Sequence, residues 1–238
     1  MTDSQQTPDN AISARERILA RLREANPGSV DSVTQHMQGR QRHTPPTWND
    51  MGNDTDRLID QMEKVQITVT RLQTMGEVPA AVEEYRREHA IDGEVIVSPT
   101  LAASDDLQWG EDVKSGIARD VVNAGVGGAS GGANEVTSVT PCLCAVAESG
   151  SIVTASGDGT PATLNFLPDN HVVVLSENQV VRYLEDAFTE LRENDKDSVP
   201  RALNLITGPS RTADIEQTLE LGAHGPKRMH VLLVASTV

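Results

Sequence analysis

The chain has 238 residues, of which 37% are hydrophobic and 23% charged, and its net charge is −15. This length suits one or two domains whose core is filled by aliphatic side chains. The negative charge, with no basic stripe to offset it, argues against binding of DNA or RNA. No apolar run is long enough to span a bilayer and residues 1–10 carry no signal region, so we expect a cytoplasmic protein.

Metal and cofactor sites are not indicated by the sequence. The two cysteines, Cys142 and Cys144, are too few for a disulfide framework or for the four thiolates that iron–sulfur clusters usually need. The six histidines show no spacing typical of metal ligands. We therefore expect no protein-bound metal and no cofactor, and we interpret both cysteines as small buried residues.

Helical periodicity dominates the first half of the chain. A capping box at Ser13 and Glu16 predicts an amphipathic helix over residues 13–25, and the polar residues 29–52 predict a linker. A second helix is predicted over residues 56–75, a third after Pro79, and a short strand over residues 94–98. The predicted domains are an N-terminal helical arm with its linker, residues 1–53, and an α/β domain, residues 54–238.

A run rich in Gly, Ser and Ala follows at residues 125–132. Such a run could cradle a phosphate, but a dinucleotide fingerprint starting at Gly125 needs a glycine where Ser130 stands. No Gly-Lys-Ser or Gly-Lys-Thr follows it either. We interpret the run as a surface loop.

The second half alternates between strands and helices. Strands are predicted over residues 151–155, 171–175, 202–206 and 229–234, and helices over residues 179–192 and 212–221. Short loops between them predict an α/β fold with a mostly parallel sheet flanked by helices.

One loop combines glycine, hydroxyl and guanidinium groups between a predicted strand and a predicted helix. It contains Gly208, Pro209, Ser210, Arg211 and Thr212. Open α/β sheets bind ligands at such positions, and the free N–H groups of a helix N-terminus together with an arginine suit a carboxylate or phosphate. The alternative is simple helix capping, and the residues alone leave both interpretations open.

Two further side chains are candidates for chemistry. Glu148 lies at an element boundary within an apolar stretch, where burial would suit it to acid/base or nucleophilic work. Its alternative role is to accept backbone N–H groups and fix a turn. His224 lies in a loop beside glycine, where a ligand can approach closely, although a lone loop histidine is more often structural.

Three stretches resemble the lactate utilization protein C family (LutC/YkgG, LUD domain). They are the segment 139–153, which contains Ala147-Glu148-Ser149-Gly150-Ser151, the segment 164–175 with its Leu-Asn-Phe-Leu-Pro entry, and the segment 206–226. The last is similar to the family's C-terminal signature almost letter for letter. Thr140, Ser149 and Gly150 in the first region join the candidate ligand-binding residues. Ser149 and Ser151 replace threonines, and Pro141 to Cys144 replaces an Ala-Asp pair whose role cannot be carried over.

The resemblance implies a fold like that of ribose-phosphate isomerases and coenzyme A transferases (NagB/RpiA/CoA transferase-like), with a pocket at the carboxyl ends of strands. By analogy of fold it implies Glu148 as a nucleophile. It also implies a part in oxidising L-lactate to pyruvate beside an iron–sulfur partner and a cysteine-rich partner. The alternatives are a stand-alone transferase or ligase for an acyl or phosphorylated substrate, and a non-catalytic scaffold or regulator.

Overall fold

The computed structural model describes residues 14–25, 52–111, 113–116, 135–194, 200–213, 219–221 and 224–236. The chain divides into two compact units, residues 1–47 and residues 48–238. In the first unit the structure describes helix α1 (Ala14–Ala25), which confirms the predicted N-terminal helix. The glycine-rich run at residues 125–132 and nearly all of the predicted linker lie outside the described residues.

The second unit contains a six-stranded sheet in which every neighbouring pair is parallel. Its strands are β1 (Ile67–Leu72), β2 (Val95–Val97), β3 (Lys114–Ser115), β4 (Thr137–Pro141), β7 (Asn170–Ser176) and β12 (Arg228–Val234). Their order across the sheet is β1-β12-β7-β4-β2-β3. The predicted α/β class with a mostly parallel sheet is therefore confirmed.

A second sheet of four short strands has mixed directions. Its strands are β5 (Cys144–Val146), β6 (Ser151–Ala155), β8 (Val180–Val181) and β9 (Leu203–Ile206). Their order is β8-β5-β6-β9, with β6 antiparallel to both of its neighbours and β8 parallel to β5. The sequence predicted β6 and β9 but not this sheet.

Helices cover both faces of the parallel sheet. The helices on the parallel sheet are α2 (Asp54–Lys64), α3 (Val78–Glu88) and the single turn α4 (Pro99–Ala102), and a further helix, α5 (Leu184–Asn194), lies on the second sheet. On β7, Val172 and Val174 belong to the core beneath α3, whereas Val173 and Leu175 belong to the core shared with α2 and the second sheet. This alternation buries the sheet on both faces, as parallel sheets require. Helix α5 packs on the outer face of the second sheet.

Two predicted helices are corrected by the structure. The helix predicted over residues 56–75 ends at Lys64, and β1 begins at Ile67 after Gln66, whose φ is 65°. The run from Ile67 to Thr70 is rich in β-branched residues, which favour a strand. The helix predicted over residues 179–192 begins only at Leu184, because the chain first forms a 3₁₀ turn and β8.

The helix predicted over residues 212–221 is also wrong. The chain instead forms an antiparallel pair, β10 (Arg211–Ala213) with β11 (Leu219–Leu221). The alternation of Leu219, Glu220 and Leu221 fits a strand as well as a helical stripe, so periodicity alone did not decide between them. Arg211 therefore lies at the start of a strand, and the helix N-terminus expected beside it is not formed.

Candidate ligand-binding site

Hydroxyl groups connect the turn after β5 to the loop after β9. The Oγ atom of Ser151 lies 2.8 Å from Oγ of Ser149 and 2.7 Å from Oγ1 of Thr207. Ser149 and Ser151, which stand where the resembling family has threonines, both take part in these contacts through their hydroxyl groups. Two segments that are 56 residues apart are thereby joined.

The loop after β9 also meets the loop that precedes β12. The backbone N–H of Ser210 donates to the carbonyl oxygen of Pro226 at 2.8 Å, and the backbone N–H of His224 donates to Oγ of Ser210 at 3.4 Å. His224 is exposed. The structure thus brings together the candidate residues of both loops, but it uses the Ser210 hydroxyl to join the loops rather than to cap a helix.

Two glycines let these loops press against the C-terminal part of α2. Gly150 has φ of 70°, and a Cβ atom there would lie 2.8 Å from the backbone of Gln61 and Met62. Gly208 has φ of 96°, and a Cβ atom there would lie 2.6 Å from the carbonyl oxygen of Val65. Both positions combine a left-handed backbone with a close approach, which only glycine tolerates at low cost.

Thr140 lies apart from these loops, in the interior of the unit. Its side chain is only 2% exposed, and Oγ1 lies 2.7 Å from Nε2 of the fully buried His171. Burial lowers the pKa of His171 to about 3, so the imidazole is neutral at physiological pH. The structure therefore places Thr140 in a buried polar pair and not at a surface open to a ligand.

Glu148 occupies the tight turn between β5 and β6 and is half-buried. Its backbone N–H donates to the carbonyl oxygen of Arg182 at 3.2 Å, and the turn is closed by the N–H of Gly150 to the carbonyl oxygen of Val146 at 2.9 Å. The turn is thus held by backbone bonds. The Glu148 carboxylate makes no hydrogen bond or ion pair with any described residue.

A cavity of about 180 Å³ lies beside Arg211. Its wall includes side chains from α3, β1, the loop after β9 and the start of β12, among them Thr68, Tyr85, His89, Arg211, Lys227 and Arg228. Thr68 and Arg228 are among the first residues of β1 and β12, so the cavity lies at the amino ends of the parallel strands. The pocket was expected at the carboxyl ends. That expectation does not hold for this cavity, because the Arg211 loop follows a strand of the second sheet.

Two of the three cations on this wall are already paired. Lys227 Nζ lies 2.9 Å from Asp169 Oδ1 and 3.5 Å from Glu135 Oε1, and an Arg228 guanidinium nitrogen lies 2.5 Å from Glu135 Oε2. Arg211 forms no ion pair with a described residue, and its side chain is exposed. Among the described residues, Arg211 is thus the cation of this wall that has no acidic partner, within a chain whose net charge is −15.

Tyr85 contributes a buried hydroxyl to the same region. It is 3% exposed, and its hydroxyl has no hydrogen-bond partner among the described residues. Its ring stacks on His230 with centroids 4.6 Å apart, and the His89 ring lies equally close at a tilt of 60°. Burial raises the pKa of Tyr85 to about 12, so the phenol is protonated. Tyr85 lies within the helix predicted after Pro79, and nothing in the sequence singled it out as a candidate.

His230 is held on the other side by β1. Its Nδ1 lies 2.7 Å from Oγ1 of Thr68, and burial, assisted by the nearby His89, lowers its pKa to about 4. The imidazole is therefore neutral and fixes the stacked Tyr85 ring without adding charge.

No group of three or more His, Cys, Asp or Glu side chains among the described residues is arranged to hold a metal ion. Cys142 and Cys144 belong to different core clusters, and burial raises the pKa of both thiols, that of Cys144 to about 12. Within the same described ranges, no helix is both long enough and apolar enough to cross a membrane.

Comparison with known proteins identifies relatives. The family model of the LUD domain matches residues 133–234. Lactate utilization protein C of Geobacillus sp. (strain WCH70) is 35% identical over 91 residues, which cover 37% of this chain and 38% of that protein. The protein of the same name from Bacillus subtilis (strain 168) is 34% identical over 92 residues, which cover 38% of each chain. These two matches thus span under half the length of the relatives.

A longer match extends over most of the chain. Lactate utilization protein C of Exiguobacterium sp. (strain ATCC BAA-1283 / AT1b) is 26% identical over 237 residues, covering 88% of this chain and 98% of that protein. The crystal structure of a DUF162 family protein from Deinococcus radiodurans matches 79% of this chain and 99% of its own, with a TM-score of 0.52 and 20% identity. This likeness supports the fold alone. Residues 133–234 are therefore similar to the LUD domain, and the relatives named here are lactate utilization C proteins.

Proposed function

We propose that the chain serves in lactate utilization, as one component of a system that oxidises L-lactate to pyruvate. The observation that carries the proposal is the similarity to a lactate utilization protein C along 88% of the chain. The hydroxyl chain of Ser149, Ser151 and Thr207 adds support, because it joins two stretches that resemble the family.

The proposed partners are an iron–sulfur protein and a cysteine-rich protein. Oxidation of a 2-hydroxy acid removes two electrons, and a cofactor must accept them. An iron–sulfur cluster usually takes four thiolates, whereas this chain has two cysteines whose side chains lie in separate core clusters. The electrons would therefore leave through clusters that the partners hold.

The proposed ligand of this component is a small anion bound by Arg211. The support is the Arg211 guanidinium at the edge of a cavity, where it forms no ion pair with a described residue, because arginine presents a fork of donors that fits carboxylates and phosphates. The helix N-terminus that the sequence suggested as a second contribution is absent, since Arg211 starts β10. The candidate contacts are thus side chains of the cavity wall.

Deletion of the gene tests the proposal in a host strain with no other lactate oxidase. We expect growth on L-lactate to be abolished or strongly slowed while growth on pyruvate is unchanged, and the intact gene should restore growth. The purified chain alone should show no lactate dehydrogenase activity, whereas the chain together with both partners should show it. Normal growth of the deletion strain on L-lactate would contradict the function.

A further inference from the structure

We propose that the outer edge of β9 pairs with the same edge of a second copy of the chain, which joins the second sheets of the two copies into one continuous sheet. The twofold axis of this dimer passes at Asn204, so that Leu203 of each copy lies opposite Leu205 of the other. The inference concerns an interaction surface and is independent of the lactate function proposed above.

The strand β9 lies at one side of the second sheet, and among the described strands it pairs only with β6. The directions of the backbone groups follow from the other neighbour of β6. The carbonyl oxygen of Val153 accepts the N–H of Leu143 at 2.8 Å, so the backbone groups of Val153 point towards β5. Because these directions alternate along a strand, the backbone groups of Ile152 and Thr154 point towards β9.

The same alternation holds on β9. The residues of β9 that lie opposite the two inward-facing residues of β6 are Asn204 and Ile206, so their N–H and C=O groups bond to β6. The N–H and C=O groups of Leu203 and Leu205 therefore point away from β6, to the outer edge of the sheet. Two donors and two acceptors of this edge are thus available to a further strand.

A second copy of β9 fits these four groups. Leu203 and Leu205 are each one residue from Asn204, so a twofold axis at Asn204 aligns both of them at once. Each leucine then donates its N–H to, and accepts at its C=O from, the opposite leucine, which gives four backbone hydrogen bonds. A twofold dimer requires such a self-complementary surface, and this edge provides it without any shift of register.

The leucine side chains add an apolar contact on the outer face of the second sheet. Leu203 packs against the core cluster beneath α5, which also contains the fully buried Val153. Leu205, which lies opposite Val153 in the sheet, is 45% exposed. In the proposed dimer, each Leu205 lies directly beside Leu203 of the other copy, so four leucines cover one another across the new strand pair.

The edge carries no charge, although the chain is strongly acidic. No charged residue occurs from Ala202 to Ser210, whereas the whole chain has a net charge of −15. The strand also lacks the lysine and proline residues that commonly prevent edge strands from pairing. Two copies therefore repel each other through their net charge but bring no like charges together at β9. We expect a reversible dimer that becomes stronger when salt screens the repulsion.

Sedimentation of the full-length protein tests the dimer. Its mass should change from one chain to two as the concentration rises over about 1–100 μM, and added salt should shift this change to lower concentration. Leu205→Lys should weaken the dimer about 10-fold or more, because a charge replaces the apolar contact in both copies. Ile18→Lys is the matched control, since Ile18 on α1 is also exposed and lies outside the proposed contact.

Disulfide formation tests the register without weakening the contact. The axis places the two copies of residue 204 in a pair without hydrogen bonds, with Cα atoms about 4.5 Å apart, within the roughly 4.4–6.8 Å that disulfides span. Asn204→Cys should therefore form a covalent dimer on mild oxidation, and the native Cys142 and Cys144 are buried. Arg201→Cys is the control, because its two copies would lie six strand positions apart, or about 20 Å.

Amide hydrogen exchange followed by NMR identifies the backbone groups involved. The amides of Leu203 and Leu205 should become protected as the protein concentration rises. Those of Asn204 and Ile206 should not change, because they already bond to β6. A dimer formed through another surface would leave all four unchanged.

Several outcomes would overturn the inference. They are a monomer at every concentration, a dimer that salt weakens, parental dimerisation of a folded Leu205→Lys variant, or loss of the dimer in Ile18→Lys. Equal disulfide formation by Asn204→Cys and Arg201→Cys would reject the register, as would concentration-independent exchange of the Leu203 and Leu205 amides.

Discussion

Oγ1 of Thr140 on β4 lies 2.7 Å from Nε2 of His171 on the adjacent strand β7, and both side chains are buried. The other ring nitrogen, Nδ1, has no partner among the described residues. A protonated imidazole here would be a buried charge beside a neutral hydroxyl. The fold therefore requires the neutral form of His171.

This requirement makes the protein sensitive to mild acid. Burial lowers the folded-state pKa of His171 to about 3 and that of His230 to about 4, whereas an unfolded histidine titrates near 6.5. Below about pH 6.5 the unfolded state binds more protons, so stability is complete above that pH and is lost as the pH falls towards 4 and 3. Each histidine should remove about 1.4 kcal/mol from the free energy of unfolding per pH unit in that window.

Urea unfolding at several pH values between 8 and 5 checks this expectation. This pH range lies above the pKa values of ordinary carboxylates. The parent protein should lose stability steadily below about pH 6.5, and His171→Gln should have a shallower slope even if it is less stable at pH 8. The exposed His224 provides the control, because His224→Gln should keep the parental slope. A flat profile for the parent protein from pH 8 to 5 would contradict a buried neutral His171.

Glycine substitutions test the approach of the two loops to α2. Gly208→Ala and Gly150→Ala each add a Cβ atom within 2.8 Å of the α2 region and force a side chain into a left-handed backbone. The backbone strain costs about 1–2 kcal/mol and the overpacking a further 1–3 kcal/mol, so a total loss of about 2–5 kcal/mol is expected for each.

Two other glycines separate these contributions. Gly52 has φ of 61°, but no atom of the described residues lies within 4 Å of the position that a Cβ atom would occupy, so Gly52→Ala should show the backbone cost alone. Gly76 has no left-handed φ, and the atom nearest to an added Cβ would be 3.8 Å away, so Gly76→Ala should be nearly neutral. Chemical denaturation of the four variants gives the comparison. Equal stability of Gly208→Ala and Gly76→Ala would show that the Arg211 loop does not contact α2 as described.

The elements that the sequence predicted are those with a strong local signal. The strands β7 and β12 are continuous apolar runs, because a parallel sheet buries both of their faces, and α3 begins at a proline signal. The strands β4 and β5 were missed. The first is Thr-Ser-Val-Thr-Pro, which has little apolar character, and the second has three residues. Both strands pair with strands that are distant in the sequence, and no local pattern indicates such pairing.

In the candidate site, too, the residues with a local sequence signal were predicted and those brought together by the tertiary fold were not. Arg211 and its loop were found because glycine, proline and hydroxyl residues cluster in sequence. The surrounding wall comes from the starts of β1 and β12 and from α3, so Thr68 and Tyr85 approach Arg211 only through the tertiary fold. The prediction of a helix after Arg211 was wrong, because a segment in which apolar residues alternate only twice fits the helical period and the strand period equally well.

Glu148 is the remaining candidate for a catalytic role, and its environment allows a direct test of that role. The turn that contains it is held by backbone hydrogen bonds, so its carboxylate is not needed to form the turn. Glu148→Gln should therefore change the free energy of unfolding by no more than about 0.5 kcal/mol. A carboxylate that no described residue binds, next to the Ser149–Ser151–Thr207 hydroxyl chain, suits an acid/base or nucleophilic role.

We accordingly expect the Glu148→Gln gene to fail to restore normal growth of the deletion strain on L-lactate, although the protein accumulates and is folded. Loss of a general acid or base slows the chemical step about 100- to 10,000-fold. A loss of this size is large enough to be seen in a growth assay. Glu88→Gln, an exposed glutamate at the end of α3, is the control and should restore full growth. Full growth with Glu148→Gln would instead assign Glu148 to the turn alone and favour a binding or scaffold role for the chain.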